Sequence, residues 1–107
     1  MKFLPFLVLI VPMVAGASEP VGFQRGMALL HKYGCQSCHS VDEARSGPSL
    51  HAIAKRYASD PHAESELSAN ILNGSIGAWG GAPMPPVKVP AADLKPLVQW
   101  ILSLNQY

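Results

Sequence analysis

The sequence predicts an all-α fold of about four short helices, and three observations favour this class. Apolar residues recur at three- and four-residue steps in four separate segments, which is the period of a helix with one buried face. No segment alternates apolar and polar residues for long enough to predict a strand. The two cysteines of the 107-residue chain stand three positions apart, a spacing that fits within one helical turn.

The first two helices are predicted on either side of the cysteine pair. The first covers about residues 21–33, where Gly26 lowers the helix propensity but lets another backbone approach closely. Gly34 then provides a natural helix stop. The second helix covers about residues 49–57. Their apolar stripes consist of Phe23, Met27, Leu30 and Tyr33 in the first helix and Leu50, Ile53, Ala54 and Tyr57 in the second.

The third and fourth helices are predicted over about residues 62–72 and 94–104. Asn73-Gly74 ends the third helix through a left-handed glycine. Because a proline inside a helix removes a backbone hydrogen bond, we place the fourth N-cap at Asp93, which leaves Pro96 in the first turn. The inward residues are Leu67, Ile71 and Leu72 in the third helix and Leu97, Val98, Ile101, Leu102 and Leu104 around Trp100 in the fourth.

Residues 74–90 form a segment of a different kind, which we call the Gly/Pro loop. It contains four glycines and four prolines, so its backbone choices are restricted and no helix is expected there. Long loops in small domains are usually functional or disordered. Trp79 and Met84 in the middle of the loop argue for function.

The amino terminus reads as a secretory signal peptide. Lys2 precedes a 12-residue apolar run at residues 3–14, and Ala15-Gly16-Ala17 follows as a small-residue cleavage site. We expect cleavage after Ala17, a domain of residues 18–107, and location in the periplasm. The alternative is an uncleaved anchor, but a spanning helix needs about 20 apolar residues.

The charge balance argues against a nucleic-acid partner. Removing residues 1–17 takes Lys2 from the eight basic residues, which leaves seven basic against seven acidic residues. A nucleic-acid binder needs a basic stripe that neutralises phosphates, and the sequence has none.

The sequence Cys35-Gln36-Ser37-Cys38-His39 carries the chemistry. Two thiols at this spacing can each add to a vinyl group of one haem, and the adjacent histidine then faces the iron. A thioredoxin-like pair would need a βαβ context, and a structural zinc site would need four ligands. A disulfide between the two cysteines would close a very short loop and stabilise little. We therefore predict one covalent haem c.

Met84 is the candidate for the second iron ligand, 45 residues after His39. The prolines around it stiffen the loop and can hold a weak thioether ligand in place. The alternative is that Met84 is an ordinary methionine of the hydrophobic core. Other candidate ligands are His31, His51 and His62.

These residues together resemble the small class I bacterial cytochromes c, especially the c-551/c-552 type. The resemblance covers residues 21–104 and implies an all-α fold wrapped around one haem. It rests on Cys35 to His39, Gly47-Pro48, Asn73-Gly74-Ser75, Ala78-Trp79-Gly80, Pro83-Met84-Pro85-Pro86, and Leu97 to Leu104 with Trp100.

The resemblance also implies roles for two further residues. The Pro48 carbonyl would accept a hydrogen bond from the proximal His39, and the indole N–H of Trp79 would bond a haem propionate. The alternative for Trp79 is an apolar wall of the pocket. Two departures from the family pattern bear on the redox potential, because Val87 replaces an asparagine near the methionine and Asn70 replaces a basic residue near the propionates.

The expected function is transfer of single electrons between larger redox proteins, not enzymatic catalysis. Partners would dock transiently at an exposed haem edge, and the protein would be a monomer or part of a small complex without a permanent membrane anchor. One alternative is a dedicated haem subunit of a periplasmic dehydrogenase, for example one that oxidises an inorganic sulfur compound. Another is a haem enzyme or gas sensor with an open iron site.

Overall fold

The computed structural model describes residues 2–12 and 20–106. The part of the chain so described contains no strand, only an isolated antiparallel bridge between Ser75 and Met84. Short 3₁₀ turns occur at Cys35–Ser37 and Leu104–Gln106. The helices are α1 (Phe23–Lys32), α2 (Leu50–Arg56), α3 (Ala63–Asn73) and α4 (Ala91–Ser103). The predicted all-α class with four short helices is confirmed.

Helix α1 ends just before the predicted glycine and packs on α4 at Gly26. Gly34 has φ +71°, a conformation that favours glycine and stops the helix. Gly26 is buried against the indole of Trp100, and a Cβ at this position would overlap the ring. The close approach is therefore by a side chain, where we expected another backbone. Phe23 is half exposed and contacts the same indole edge-on, at 5.8 Å between ring centroids.

Helices α2 and α3 keep most of their predicted stripes. The Ser49 hydroxyl caps α2 by accepting a hydrogen bond from the Ala52 amide at 3.1 Å. In α3, Leu67 and Ile71 are buried, but Leu72 is 41% exposed. The prediction for Leu72 was wrong because a residue directly after Ile71 lies about 100° further round the helix, off the buried stripe.

Helix α4 begins three residues before the predicted start. The Pro90 carbonyl accepts hydrogen bonds from the amides of Asp93 and Leu94 at 2.9 Å each, so the first turn forms at Ala91. Pro96 therefore lies inside the helix and leaves the Ala92 carbonyl without its amide donor. Ala92 is exposed, so water can satisfy that carbonyl.

The core forms where α1, α2 and α3 all pack against α4. Trp100 is its largest fully buried side chain, and it lies beside a set of aliphatic residues. The other fully buried large side chains are Leu30, Leu97, Val98 and Leu104. The predicted inward positions of α4 are thus buried, except that Leu102 packs at the edge of the core.

The amino-terminal residues 2–12 contain neither helix nor strand. No helix in the described ranges is both long and apolar enough to cross a membrane. The expected cleavage site after Ala17 lies outside the described residues.

Candidate functional site

A cavity of ≈680 Å³ opens between the helices and the Gly/Pro loop. Small-molecule and cofactor sites commonly have volumes of about 300–1,000 Å³ and mostly apolar walls. Aliphatic side chains from every helix form the interior of this cavity. They include Leu30, Leu50, Ile53, Leu67, Ile71 and Leu97.

His39 reaches the cavity because the chain turns tightly after α1. The His39 amide donates to the Cys35 carbonyl at 3.0 Å, which sets the histidine one turn after the first cysteine. Its imidazole is 9% exposed, and its Nδ1 lies 2.7 Å from the Pro48 carbonyl oxygen. A nitrogen that faces a carbonyl must donate, so Nε2 carries the lone pair and can bind a metal. The proline carbonyl contact expected from the resemblance is present.

Gly47 makes the approach of Pro48 to His39 possible. A Cβ at Gly47 would lie 2.6 Å from the His39 Cε1 atom and 3.0 Å from Nδ1. The Gly47 amide donates to the Cys38 carbonyl at 2.8 Å and closes the loop that returns to the imidazole. Because residue 47 has no side chain, the loop can close beside His39 and the imidazole can keep its position.

Cys35 and Cys38 line the same cavity, and neither forms a disulfide. Burial raises the pKa of the Cys35 thiol, while a backbone hydrogen bond acts in the opposite direction with a smaller effect. The apolar environment at Cys35 thus favours an uncharged sulfur, which suits a thiol or a thioether.

Met84 also lines the cavity, and the backbone around it is fixed. Its amide donates to the Ser75 carbonyl at 2.8 Å, and its carbonyl accepts from the Ser75 amide at 3.0 Å. Gly74 has φ +79°, and a Cβ there would lie 2.7 Å from the Met84 carbonyl oxygen. Glycine is therefore required where the two segments meet.

The three alternative histidines lie elsewhere. His31 and His62 are exposed, and His51 is partly buried beside Asp42, with 4.0 Å between Nδ1 and Oδ1. None of the three lines the cavity. Among the described residues, His39 and Met84 are therefore the imidazole and the thioether that share it.

Trp79 forms part of the cavity wall and remains 40% exposed. The Arg56 guanidinium lies 4.3 Å from the centroid of its ring, and Arg56 Nη1 donates to the Ala78 carbonyl at 2.8 Å. Sequence reasoning missed Arg56, because its only signal was a basic residue near the end of a helix. Asn70 and Val87, the two departures from the family pattern, also line the cavity.

Comparison with known protein families identifies the family to which this chain belongs. The family model described as "Cytochrome c" matches residues 23–105, which include helices α1 to α4. The chain belongs to the cytochrome c family.

Relatives and solved structures agree with this assignment. Cytochrome c-551 of Allochromatium vinosum is 47% identical over 79 residues, which cover 73% of this chain and 84% of the relative. Cytochrome c-551 of Stutzerimonas stutzeri is 40% identical over 101 residues, or 91% of this chain and 97% of the relative. The crystal structure of wild-type Nitrosomonas europaea cytochrome c552 has a TM-score of 0.70 at 44% identity, covering 74% of this chain and 99% of that one. The resemblance to class I monohaem cytochromes c is confirmed.

Membership of the cytochrome c family gives the protein one covalently attached haem c and an electron-transfer function. The cavity residues fit this group on their own chemistry. They provide the two cysteine sulfurs of the Cys-x-x-Cys-His motif, an imidazole whose Nε2 is available, a thioether and apolar walls. An electron-carrying cytochrome exchanges electrons with other redox proteins, so such proteins are its partners.

Proposed function

We propose that this cytochrome is a periplasmic carrier of single electrons whose haem iron is bound by His39 and Met84. In this proposal Cys35 and Cys38 form the two thioether bonds to the haem. The observation that carries the proposal is that His39 and Met84 line one cavity, each fixed by backbone hydrogen bonds. Ligands held this way need to move little between the two oxidation states.

The haem supplies a one-electron couple when it is bound, and the protein sets the conditions around it. Pro48 holds the His39 ring in one tautomer and orientation, which tunes it as a ligand. A neutral imidazole with a thioether raises the reduction potential relative to two histidines. The aliphatic walls exclude water. Trp79, which lines the cavity, would donate its indole N–H to a propionate or act as an apolar wall.

The amino terminus supports export as part of this proposal. Lys2 and the apolar residues that follow fit a cleavable signal better than an anchor. The intact mass of the protein purified from a periplasmic extract measures this directly, and we expect a chain that begins at Ser18. A haem-bearing chain that still carries residues 1–17 would contradict cleavage.

An uncharged part of the Gly/Pro loop provides a surface for brief encounters with redox partners. Ile76 is 89% exposed at its edge, and small exposed residues continue the patch past the cavity wall. The small residues are Ala78, Gly80, Gly81, Ala82 and Pro83. Electron-transfer encounters use small interfaces, and short side chains lose little entropy when they dock.

The test of this surface is electron self-exchange between the ferric and ferrous forms of the purified protein, measured by NMR. Two copies that meet through identical patches would bring two introduced charges together. We therefore expect Ala82→Glu and Ala82→Lys each to slow self-exchange severalfold, with unchanged visible spectra. Gln99→Glu, at an exposed position of α4 away from the cavity, is the matched control. Equal rates in all the variants would remove the patch from the proposed function.

A further inference from the structure

Arg56, the last residue of α2, holds two neighbouring residues of the Gly/Pro loop at once. Its Nη1 donates to the Ala78 carbonyl at 2.8 Å. Its guanidinium lies 4.3 Å from the Trp79 ring centroid, well within the distance of about 6 Å at which a cation attracts an aromatic face. One exposed side chain thus joins a helix end to the wall of the haem cavity.

The tip of the loop, residues 77–82, has little else to hold it. Gly77, Gly80 and Gly81 have φ values of +74°, +67° and +89°, and no atom lies within 4 Å of a Cβ placed on any of them. Among the described residues, the backbone hydrogen bond within the tip is the long one of 3.4 Å from the Gly80 amide to the Gly77 carbonyl. Few contacts and open surroundings are features of segments that open locally.

The position of the tip matters because it lies between the cavity and solvent. Residues 77–82 all line the cavity, and Pro83 and Met84 follow them in its wall. If the tip lifts, the cavity opens beside Met84, and the bridge between Ser75 and Met84 loses its support. The contact that holds the tip therefore sets how often the cavity is accessible.

We propose that Arg56 is a positioning residue that latches the loop tip onto the end of α2 and so keeps the haem cavity closed to external ligands. Arginine suits this task because its planar group can stack on an indole and donate a hydrogen bond at the same time. Lysine would retain the charge but not the combined geometry.

The direct test is hydrogen exchange in the holoprotein, followed at the Ser75, Gly80 and Met84 amides. We expect Arg56→Ala to speed their exchange about three- to tenfold, because exposed cation–π contacts and single hydrogen bonds are each of modest strength. Arg56→Lys should give an intermediate rate. The reference is the Gly47 amide, which bonds the Cys38 carbonyl on the His39 side and should not change.

Lys55→Ala is the matched control, since Lys55 precedes Arg56, is exposed, and forms no side-chain hydrogen bond or ion pair within the described residues. It removes the same charge, so exchange should stay at the wild-type rate. Equal exchange in Arg56→Ala and Lys55→Ala would overturn the latch. Full protection in Arg56→Lys would overturn the claim that the latch needs the combined stacking and hydrogen bond of arginine, because charge alone would then suffice.

A second measurement, the rate at which imidazole binds the ferric protein, rests on the proposed ligation by Met84. Displacement of the thioether requires the loop to open, so Arg56→Ala should bind imidazole faster by a similar factor, and Lys55→Ala should not. If the wild-type spectrum shows no thioether ligation, the proposed ligation by Met84 is wrong. The amide exchange rates then still test whether Arg56 holds the loop tip. Faster exchange of the loop amides with an unchanged imidazole rate would overturn the claim that the latch controls access.

Discussion

The orientation of His39 depends on two neighbouring residues that the backbone brings to it. Pro48 offers a carbonyl oxygen 2.7 Å from Nδ1, and Gly47 leaves space for the ring to stay there. The hydrogen bond assigns the proton to Nδ1 and leaves Nε2 as the nitrogen able to bind iron. A glycine and a proline therefore determine which imidazole nitrogen is left free to bind a metal.

We predict that Gly47→Ala weakens this arrangement. The new Cβ would lie 2.6 Å from His39 Cε1, so the ring or the loop must shift, and we expect a loss of unfolding free energy of about 1–3 kcal/mol. Chemical denaturation of the holoprotein measures the loss. Ser46→Ala, at the exposed neighbouring position, is the control and should be neutral. A Gly47→Ala protein as stable as wild type would show that the ring is not confined as described.

Cavity residues that belong to a short motif or a distinctive segment could be predicted from the sequence. Cys35, Cys38 and His39 belong to one five-residue motif, while Pro48, Trp79 and Met84 were named from the resemblance or the loop composition, and all six line the cavity. Arg56 had no such signal. Its contact with Trp79 joins residues far apart in sequence and depends on where α2 ends relative to the loop, which composition and spacing do not specify.

The contact between α1 and α4 depends on a missing side chain. Gly26 presents bare backbone to the buried Trp100 indole. A larger residue at position 26 would force α1 and α4 apart. The glycine thus offsets its poor helix propensity, about 1 kcal/mol relative to alanine, by allowing an aromatic residue to fill the crossing.

We predict that Gly26→Ala destabilises the protein despite its better helix propensity. Overpacking against a rigid ring costs about 1–3 kcal/mol, and denaturant unfolding measures it. A double variant that combines Gly26→Ala with Trp100→Phe should relieve this clash, because the smaller ring leaves room for the new methyl group. The double variant should lose less than the sum of the two single losses. Additive losses would mean that the two residues do not share one packing site.

A second interaction between the end of α1 and the start of α4 is a polar cluster. Asp93 accepts hydrogen bonds from the Tyr33 hydroxyl and from Lys32 Nζ, the latter at 3.0 Å. The Tyr33 hydroxyl and then the Lys32 ammonium hold the pKa of Asp93 below its ordinary value of 3.8. The hydrogen bond to Asp93 in turn raises the pKa of Tyr33 above 10.0 and that of Lys32 above 10.5. Ion pairs this exposed contribute little individually, so pH dependence is their clearest signature.

These directions predict how stability depends on pH. The Asp93 contribution is present above its unfolded pKa and is lost as pH falls through its lowered folded pKa. The contributions of Tyr33 and Lys32 are present below their unfolded pKa values and are lost as pH rises through the raised folded ones. The stability difference between wild type and Asp93→Asn should therefore be constant near neutral pH and shrink at both extremes. Thermal unfolding across pH measures this difference.

Glu43→Gln is the control for that series, because Glu43 is exposed and carries the same charge. Its difference from wild type should not follow the alkaline titration of Tyr33 and Lys32. An Asp93→Asn difference that stays constant up to strongly alkaline pH would contradict the cluster.

The sequence predicted the existence of α1 to α4 better than it predicted their ends. The start of α4 was misplaced because Pro96 was expected to lie in the first turn, whereas the Pro90 carbonyl nucleates the helix earlier. An exposed carbonyl at Ala92 makes an interior proline tolerable, and that exposure is a tertiary property. The Gly/Pro loop was recognised from composition, but its backbone path and its bridge at Ser75 were not.

At the scale of the whole molecule, the fold assembles one apolar cavity from both halves of the chain. The Cys-x-x-Cys-His motif follows α1, and the methionine segment lies between α3 and α4. If residues 1–17 are removed as proposed, the chain has equal numbers of basic and acidic residues, so its own net charge does not steer its partners. In the proposed function, recognition then depends on the uncharged loop surface beside the cavity.

The central claim is that Met84 completes the ligation begun by His39, and the visible spectrum of the oxidised protein tests it most directly. We predict the weak band at the red end of the spectrum that thioether ligation gives to ferric haem, and its loss in Met84→Ala with the fold retained. Its presence only in the wild type would establish the ligand pair on which the carrier function rests. A wild-type spectrum at neutral pH without this band would contradict the claim and indicate an open iron or ligation by two histidines.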